Sequence, residues 1–167
     1  MTTHNILYSK SDIETKAKLC ALFIDDIVWK GDTVICPILQ SSYQFISDVC
    51  KHLNTEPYLD FYGISRYAED NTEDDLYLYK GADQSLINNK NVIILDTLCS
   101  TGTTIDLAAR LTKQLGAKKV YTVCLLKRQF SVHKPDWSGW TISDELVYGY
   151  GLDINTRHRT LPYIAYE

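Results

Sequence analysis

The stretch from Asn91 to Leu111, NVIILDTLCSTGTTIDLAARL, constrains the fold more than any other part of the chain. It opens on a short apolar, β-branched run, crosses a cluster of small polar residues, and continues with apolar side chains at helical spacing. A strand that is apolar without alternation is buried on both faces, which calls for helices on both sides of a mainly parallel sheet. Ligands of such sheets bind beyond the carboxyl ends of the strands, where the following helix begins with unpaired amides that attract anions. Ser100, Thr101, Gly102, Thr103 and Thr104 fall at that point and offer hydroxyls, successive amides and a glycine. They predict a cup for a phosphate monoester. It is not a Walker loop, since GxxxxGK[ST] is missing, and no GxGxxG follows a strand.

The rest of the chain repeats this alternation. Ser11 and Glu14 have capping-box spacing and predict an amphipathic helix, with Ile13, Ala17, Cys20, Phe23, Ile24 and Ile27 on its apolar side, ending near Gly31. TVICPIL (Thr33 to Leu39) predicts a buried strand and SYQFISDVCKHL a helix after it. YLDFYGISRY reads as one strand, Glu69 to Asp75 as a charged loop, and DLYLYKG as its returning strand, together a hairpin over one end of the sheet. TTIDLAARLTKQLGA predicts a helix, and KVYTVCLL a further parallel strand. Past Lys127 the chain reads as irregular and aromatic, until a strand-like YIAYE.

A chain of 167 residues with no linker or repeat predicts one domain over residues 1–167. Its charge, 17 basic against 21 acidic side chains, or -4, argues against a nucleic-acid or membrane-surface binder. The five cysteines lack paired CxxC spacing and mostly sit in apolar runs, as buried free thiols of a reducing compartment do. With no apolar signal core, and no run approaching the roughly 18 apolar residues of a membrane span, the expected location is the cytoplasm. The histidines are scattered without zinc-ligand spacing.

VIILDTLCSTGTT resembles the phosphoribosyl pyrophosphate signature of the type I phosphoribosyltransferases. LLKR, KPDWSGWTISDELVYGYGLD and RHRTLPYIAY follow in the order and spacing of the hypoxanthine-guanine branch of that family, and CPILQSSYQFISDV and YLDFYGISRY resemble its earlier segments. The resemblance implies an α/β fold with a mainly parallel twisted sheet flanked by helices, a small hood and a mobile hairpin loop. It implies transfer of ribose 5-phosphate from phosphoribosyl pyrophosphate to a purine base, with Mg2+ as cofactor, in nucleotide salvage and in a homo-oligomer.

The resemblance also assigns roles. Ser100 to Thr104 would wrap the 5′-phosphate; Asp96 would meet the ribose hydroxyls, with Thr97 beside it at the signature's second acidic position. Lys127 would donate to the purine's exocyclic oxygen, and Leu146 and Val147 would face the base. Gln40, Ser41, Arg66 and Arg159 would face pyrophosphate, and Asp153 would stand beside its magnesium. Several positions depart from the pattern, Arg66 among them, where the family has a small hydroxyl residue. Thr97 replaces an acid, Ser100 replaces the aspartate thought to act as general base at purine N7, Ser41 stands where the family has glycine, and Leu146 replaces a stacking aromatic. A serine hydroxyl is a poor proton acceptor near neutral pH, and loss of a general base typically costs about 10²–10⁴-fold. Two functions therefore stand side by side: a purine phosphoribosyltransferase, and a catalytically impaired nucleotide-binding homologue with a regulatory role.

Overall fold

A computed structural model describes residues 4–66 and 76–167, with the backbone alone at Arg66. The predicted loop Glu69 to Asp75 lies outside the described residues, and only the two strands that flank it can be compared with expectation.

The main sheet is built on β2 (Thr33–Leu39), β6 (Asn91–Cys99) and β7 (Lys119–Arg128), which run parallel. On one side of this core, β4 (Tyr62–Arg66) pairs parallel with β2, and β5 (Leu76–Lys80) returns antiparallel to β4. On the other side, β8 (Trp137–Ile142) extends β7 in parallel. Each central strand is buried on both faces, and the two-residue period of a strand divides its side chains between two cores. Ile35, Ile93 and Leu95 join a cluster with Ile13, Ala17 and Ile24 of α1 (Lys10–Val28) and Phe45 and Val49 of α2 (Tyr43–Cys50). Val34, Cys36, Val92 and Ile94 join a second cluster with Ile105 and Ala108 of α4 (Thr103–Gln114) and Ile87, the last residue of the short α3 (Gln84–Ile87). Helices thus cover both faces, as the apolar runs require.

Several boundaries differ from expectation. The helix cap is Ser9 with Asp12, not Ser11 with Glu14: the Ser9 hydroxyl accepts from the Asp12 amide while Asp12 accepts from the Ser9 amide. YLDFYGISRY forms two strands, β3 (Tyr58–Leu59) and β4, because the Asp60 carboxylate takes the amides of Phe61 and Asp83 and the Lys80 ammonium, which pins the break between them. The segment read as irregular after Lys127 contains β8. The opening residues supply β1 (Asn5–Tyr8), which pairs with β10 (Ile164–Tyr166); β10 pairs in turn with β9 (Val147–Tyr148), and the three form a separate small sheet. Four of the five cysteines are buried, only Cys50 is exposed, and all are free thiols. Among the described residues no helix is long and apolar enough to cross a membrane.

Candidate functional site

Strand β6 ends at Cys99, and three residues later α4 begins behind Gly102, whose φ of 99° is a left-handed conformation natural only to glycine. Gly102 has no side chain with which to cap this helix; the Thr103 amide donates to the Thr101 hydroxyl at 3.5 Å, and the turn faces the space beyond the strand. That space is a cup of about 190 Å3 walled by Asp96, Ser100, Thr101, Gly102 and Thr104. Thr103 is the first helical residue, and its hydroxyl lies 3.1 Å from that of Thr101.

The cup is supported from behind. A Cβ placed on Gly102 would come within 2.4 Å of the His133 Cβ. The His133 ring is held at Nδ1, 2.5 Å from Asp106 in the first turn of α4, and at Nε2, 3.0 Å from the Thr122 hydroxyl on β7. Gly102→Ala therefore meets a clash and a disfavoured φ together. It should cost about 1–3 kcal/mol in a urea titration, and phosphate-ligand affinity should fall with it.

Beside the cup, and sharing Asp96 with it, lies a cleft of about 440 Å3 at the carboxyl ends of β2 and β6. Gln40 and Ser41 line it from the β2–α2 loop, Val147 from the small sheet, Leu146 from just before it, and Asp153 and Arg159 from the segment between β9 and β10. Burial pushes the Asp96 carboxyl up to about 7, against hydrogen bonds from the Ser41 hydroxyl at 2.7 Å and the Thr97 amide at 2.7 Å that pull it down. Arg159 donates to the Gly151 carbonyl at 2.6 Å and to Asp153 at 2.7 Å, so its guanidinium is oriented before any ligand arrives. Asp153 also accepts from the Thr156 amide at 2.8 Å. A hollow of about 570 Å3 along α4, lined by Arg110, Lys113 and Lys134 among others, is wider, but it shares no lining residue with cup or cleft.

The expected residues are therefore largely brought together, and three of them are placed away from the cavity walls. Thr97 is fully buried, and its hydroxyl donates to the Ser41 carbonyl at 2.9 Å instead of facing the cleft. Lys127 is half-buried on β7 and does not line the cleft, whereas Arg128 does, since neighbours on a strand point to opposite faces. Arg128 donates to the carbonyls of Ser143 at 2.7 Å and Glu145 at 3.0 Å and so braces the segment that presents Leu146 and Val147. Thr103 does not line the cup wall. The side chain of Arg66 lies outside the described residues. Sequence reasoning did not single out Arg128, nor Tyr79 of β5, which lines the cleft with its ring against Gly63 and has no local signal in the sequence.

A hard cation that neutralises a diphosphate fits the cleft's donors. Asp153 presents carboxylate oxygens, and Mg2+ is commonly held by one or two carboxylates together with substrate phosphates. Among the described residues no group of three or more His, Cys, Asp and Glu side chains converges on a metal position.

A family model described as phosphoribosyl transferase domain matches residues 6–155. A hypoxanthine-guanine phosphoribosyltransferase of Staphylococcus epidermidis is 32% identical, over 96% of this chain and 92% of the relative. One of Bacillus subtilis is 26% identical, over 96% and 91%. The crystal structure of a hypoxanthine phosphoribosyltransferase from Staphylococcus aureus superposes with a TM-score of 0.89 at 28% identity, covering 97% of this chain and 90% of that one. That of a hypoxanthine-guanine phosphoribosyltransferase from Bacillus anthracis, with HEPES in its active site, gives 0.89 at 26% identity and 99% of both.

Proposed function

The chain belongs to the phosphoribosyl transferase family, and from that membership we propose that it transfers ribose 5-phosphate from phosphoribosyl pyrophosphate to a purine base of the hypoxanthine, guanine or xanthine type. The observation that carries this reading is Asp96: it belongs at once to the wall of the cup and to the wall of the cleft. A carboxylate at that junction stands between a phosphate on one side and a base and diphosphate on the other, where a ribose has to lie.

In this reading the amides of α4 and the hydroxyls of Ser100, Thr101 and Thr104 hold the 5′-phosphate, and Asp96 accepts hydrogen bonds from the ribose hydroxyls. Gln40, Ser41 and Arg159 line the diphosphate side, with the guanidinium oriented by Gly151 and Asp153. Leu146 and Val147 face the base, and Arg128 keeps their segment in place. Asp153, together with the substrate's own oxygens, would hold Mg2+, which when bound would neutralise charge on the diphosphate. The protein's share is orientation of the ribose between leaving group and base, together with exclusion of water.

The test is pyrophosphate release by the purified chain with Mg2+ and phosphoribosyl pyrophosphate, offering hypoxanthine, guanine, xanthine and adenine separately. Release with a 6-oxopurine is expected. No release with any base, alongside saturable binding of a purine monophosphate, would overturn the transferase and leave the nucleotide-binding homologue.

A further inference from the structure

Ser41 and Thr97, two of the departures from the family pattern, are tied to each other and to Asp96. The Ser41 hydroxyl donates to Asp96 Oδ1 at 2.7 Å, the Thr97 hydroxyl donates to the Ser41 carbonyl at 2.9 Å, and the Thr97 amide returns to Asp96 Oδ1 at 2.7 Å. The three bonds close a ring between the β2–α2 loop and the end of β6. Neither end of it is free to drift. Thr97 is fully buried, so without the Ser41 carbonyl its hydroxyl would be a buried donor with no acceptor. The Ser41 carbonyl is in turn wedged against Gly151: a Cβ there would sit 1.9 Å from that oxygen. These two bonds fall on Oδ1 and leave Oδ2 aside, while the Leu98 amide also favours the ionised carboxylate.

We infer that Ser41 and Thr97 are positioning residues that latch one oxygen of Asp96, leave the other for the vicinal hydroxyls of a ribose phosphate, and tie that carboxylate to the loop facing the diphosphate. The latch rests on the proposed role of Asp96 as the ribose-facing group. It carries an electrostatic consequence. Burial raises the pH at which Asp96 ionises, and Cys99 on its own strand adds to that, while the Ser41 hydroxyl and the amides of Thr97 and Leu98 lower it. Across the cleft the charged groups are Asp153, Arg159 and Arg128. Without the Ser41 hydroxyl more of the carboxyl is protonated at neutral pH, and an acid accepts hydrogen bonds from a diol less well than a carboxylate does.

Two readouts on the full chain test this: a 13C NMR titration of the Asp96 carboxyl, and the affinity for phosphoribosyl pyrophosphate with Mg2+ by calorimetry from pH 6 to 9. Ser41→Ala should move the Asp96 midpoint up by about one pH unit. It should also weaken binding about 5–10-fold at pH 7, with recovery by pH 9. Ser41→Thr, which restores a hydroxyl, should restore both readouts. Thr97→Val releases the Ser41 carbonyl and should weaken binding about 3–10-fold at every pH. An unmoved midpoint in Ser41→Ala, or a loss of affinity equal at all pH values, would overturn the latch. Asp96→Asn separates the two readings: if it binds as well as wild type, the ribose assignment fails, while the NMR titration of Ser41→Ala still reports on the latch itself.

Discussion

Ser100→Asp should raise the rate of pyrophosphate release at saturating substrate by about 10²-fold, within the span of about 10²–10⁴ that a positioned general base contributes. Ser100 lines the cup beside Asp96, at the turn between β6 and α4, so an aspartate there adds a carboxylate at the edge of the site without altering a buried contact. The same substitution has an opposing effect. A second negative charge near Asp96 and a bound phosphate costs about 1–4 kcal/mol at 4 Å separation for effective dielectrics between those of water and a protein surface. That penalty falls on binding, so KM for phosphoribosyl pyrophosphate should rise about tenfold or more while kcat climbs. The split between the two constants is the signature sought in steady-state kinetics. A kcat that is unchanged or lower would show that the missing base is not what limits this chain.

Asp96→Asn should weaken phosphoribosyl pyrophosphate binding by about 10–100-fold, the worth of charge-assisted hydrogen bonds to a carboxylate, and yet make the protein more stable. The amide oxygen can still accept from the Ser41 hydroxyl and the Thr97 amide, so the contacts of Oδ1 survive. What disappears is the cost of a buried charge. In the folded chain the Asp96 carboxyl is pushed up to about 7, whereas in an unfolded chain it ionises near pH 3.9. Between those values the folded state holds the extra proton, so wild-type stability falls as pH rises through that window and the loss is complete above pH 7. The asparagine variant escapes this loss. Its advantage should be about 1–3 kcal/mol at pH 8, or roughly 3–10 °C in Tm for a domain of this size, and should vanish near pH 4. Thermal melts at pH 4.5 and pH 8 measure it, and an equal gain at both pH values would contradict the burial of a charge as its cause.

How much of this was legible in the sequence depends on how local the signal is. TVICPIL matches β2 residue for residue, and NVIILD lies wholly within β6, because an unbroken β-branched run has few other homes. The phosphate cup follows from a strand, a turn and a helix start, all within one short stretch. The strand β8 was not legible, since WSGWTI sits at the sheet edge, paired on one side only, and carries no alternation of burial. Asp25 was equally hidden: inside the helical pattern of α1 it looks like a solvent-facing acid, but it is buried and accepts from the amides and side chains of Asn54 and Thr55. The choice between Lys127 and Arg128 turns on which face of β7 each side chain takes, which only the register with β6 and β8 fixes. The Ser41–Thr97 bond joins residues 56 positions apart, and neither residue type announces it.

The small sheet that carries Val147 is assembled from distant parts of the chain, with Asn5 opposite Tyr166 and Tyr166 opposite Val147. Contacts of such sequence separation pay the largest loop-closure entropy and come late in folding. In the proposed reading this sheet forms the base-facing wall, a clasp whose Val147 and Ile164 are buttoned into the same core as Ile35, Ile93 and Leu95. A ligand seated against that wall would hold the clasp shut, drawing on its own binding free energy to raise the local stability of the chain's two outermost strands.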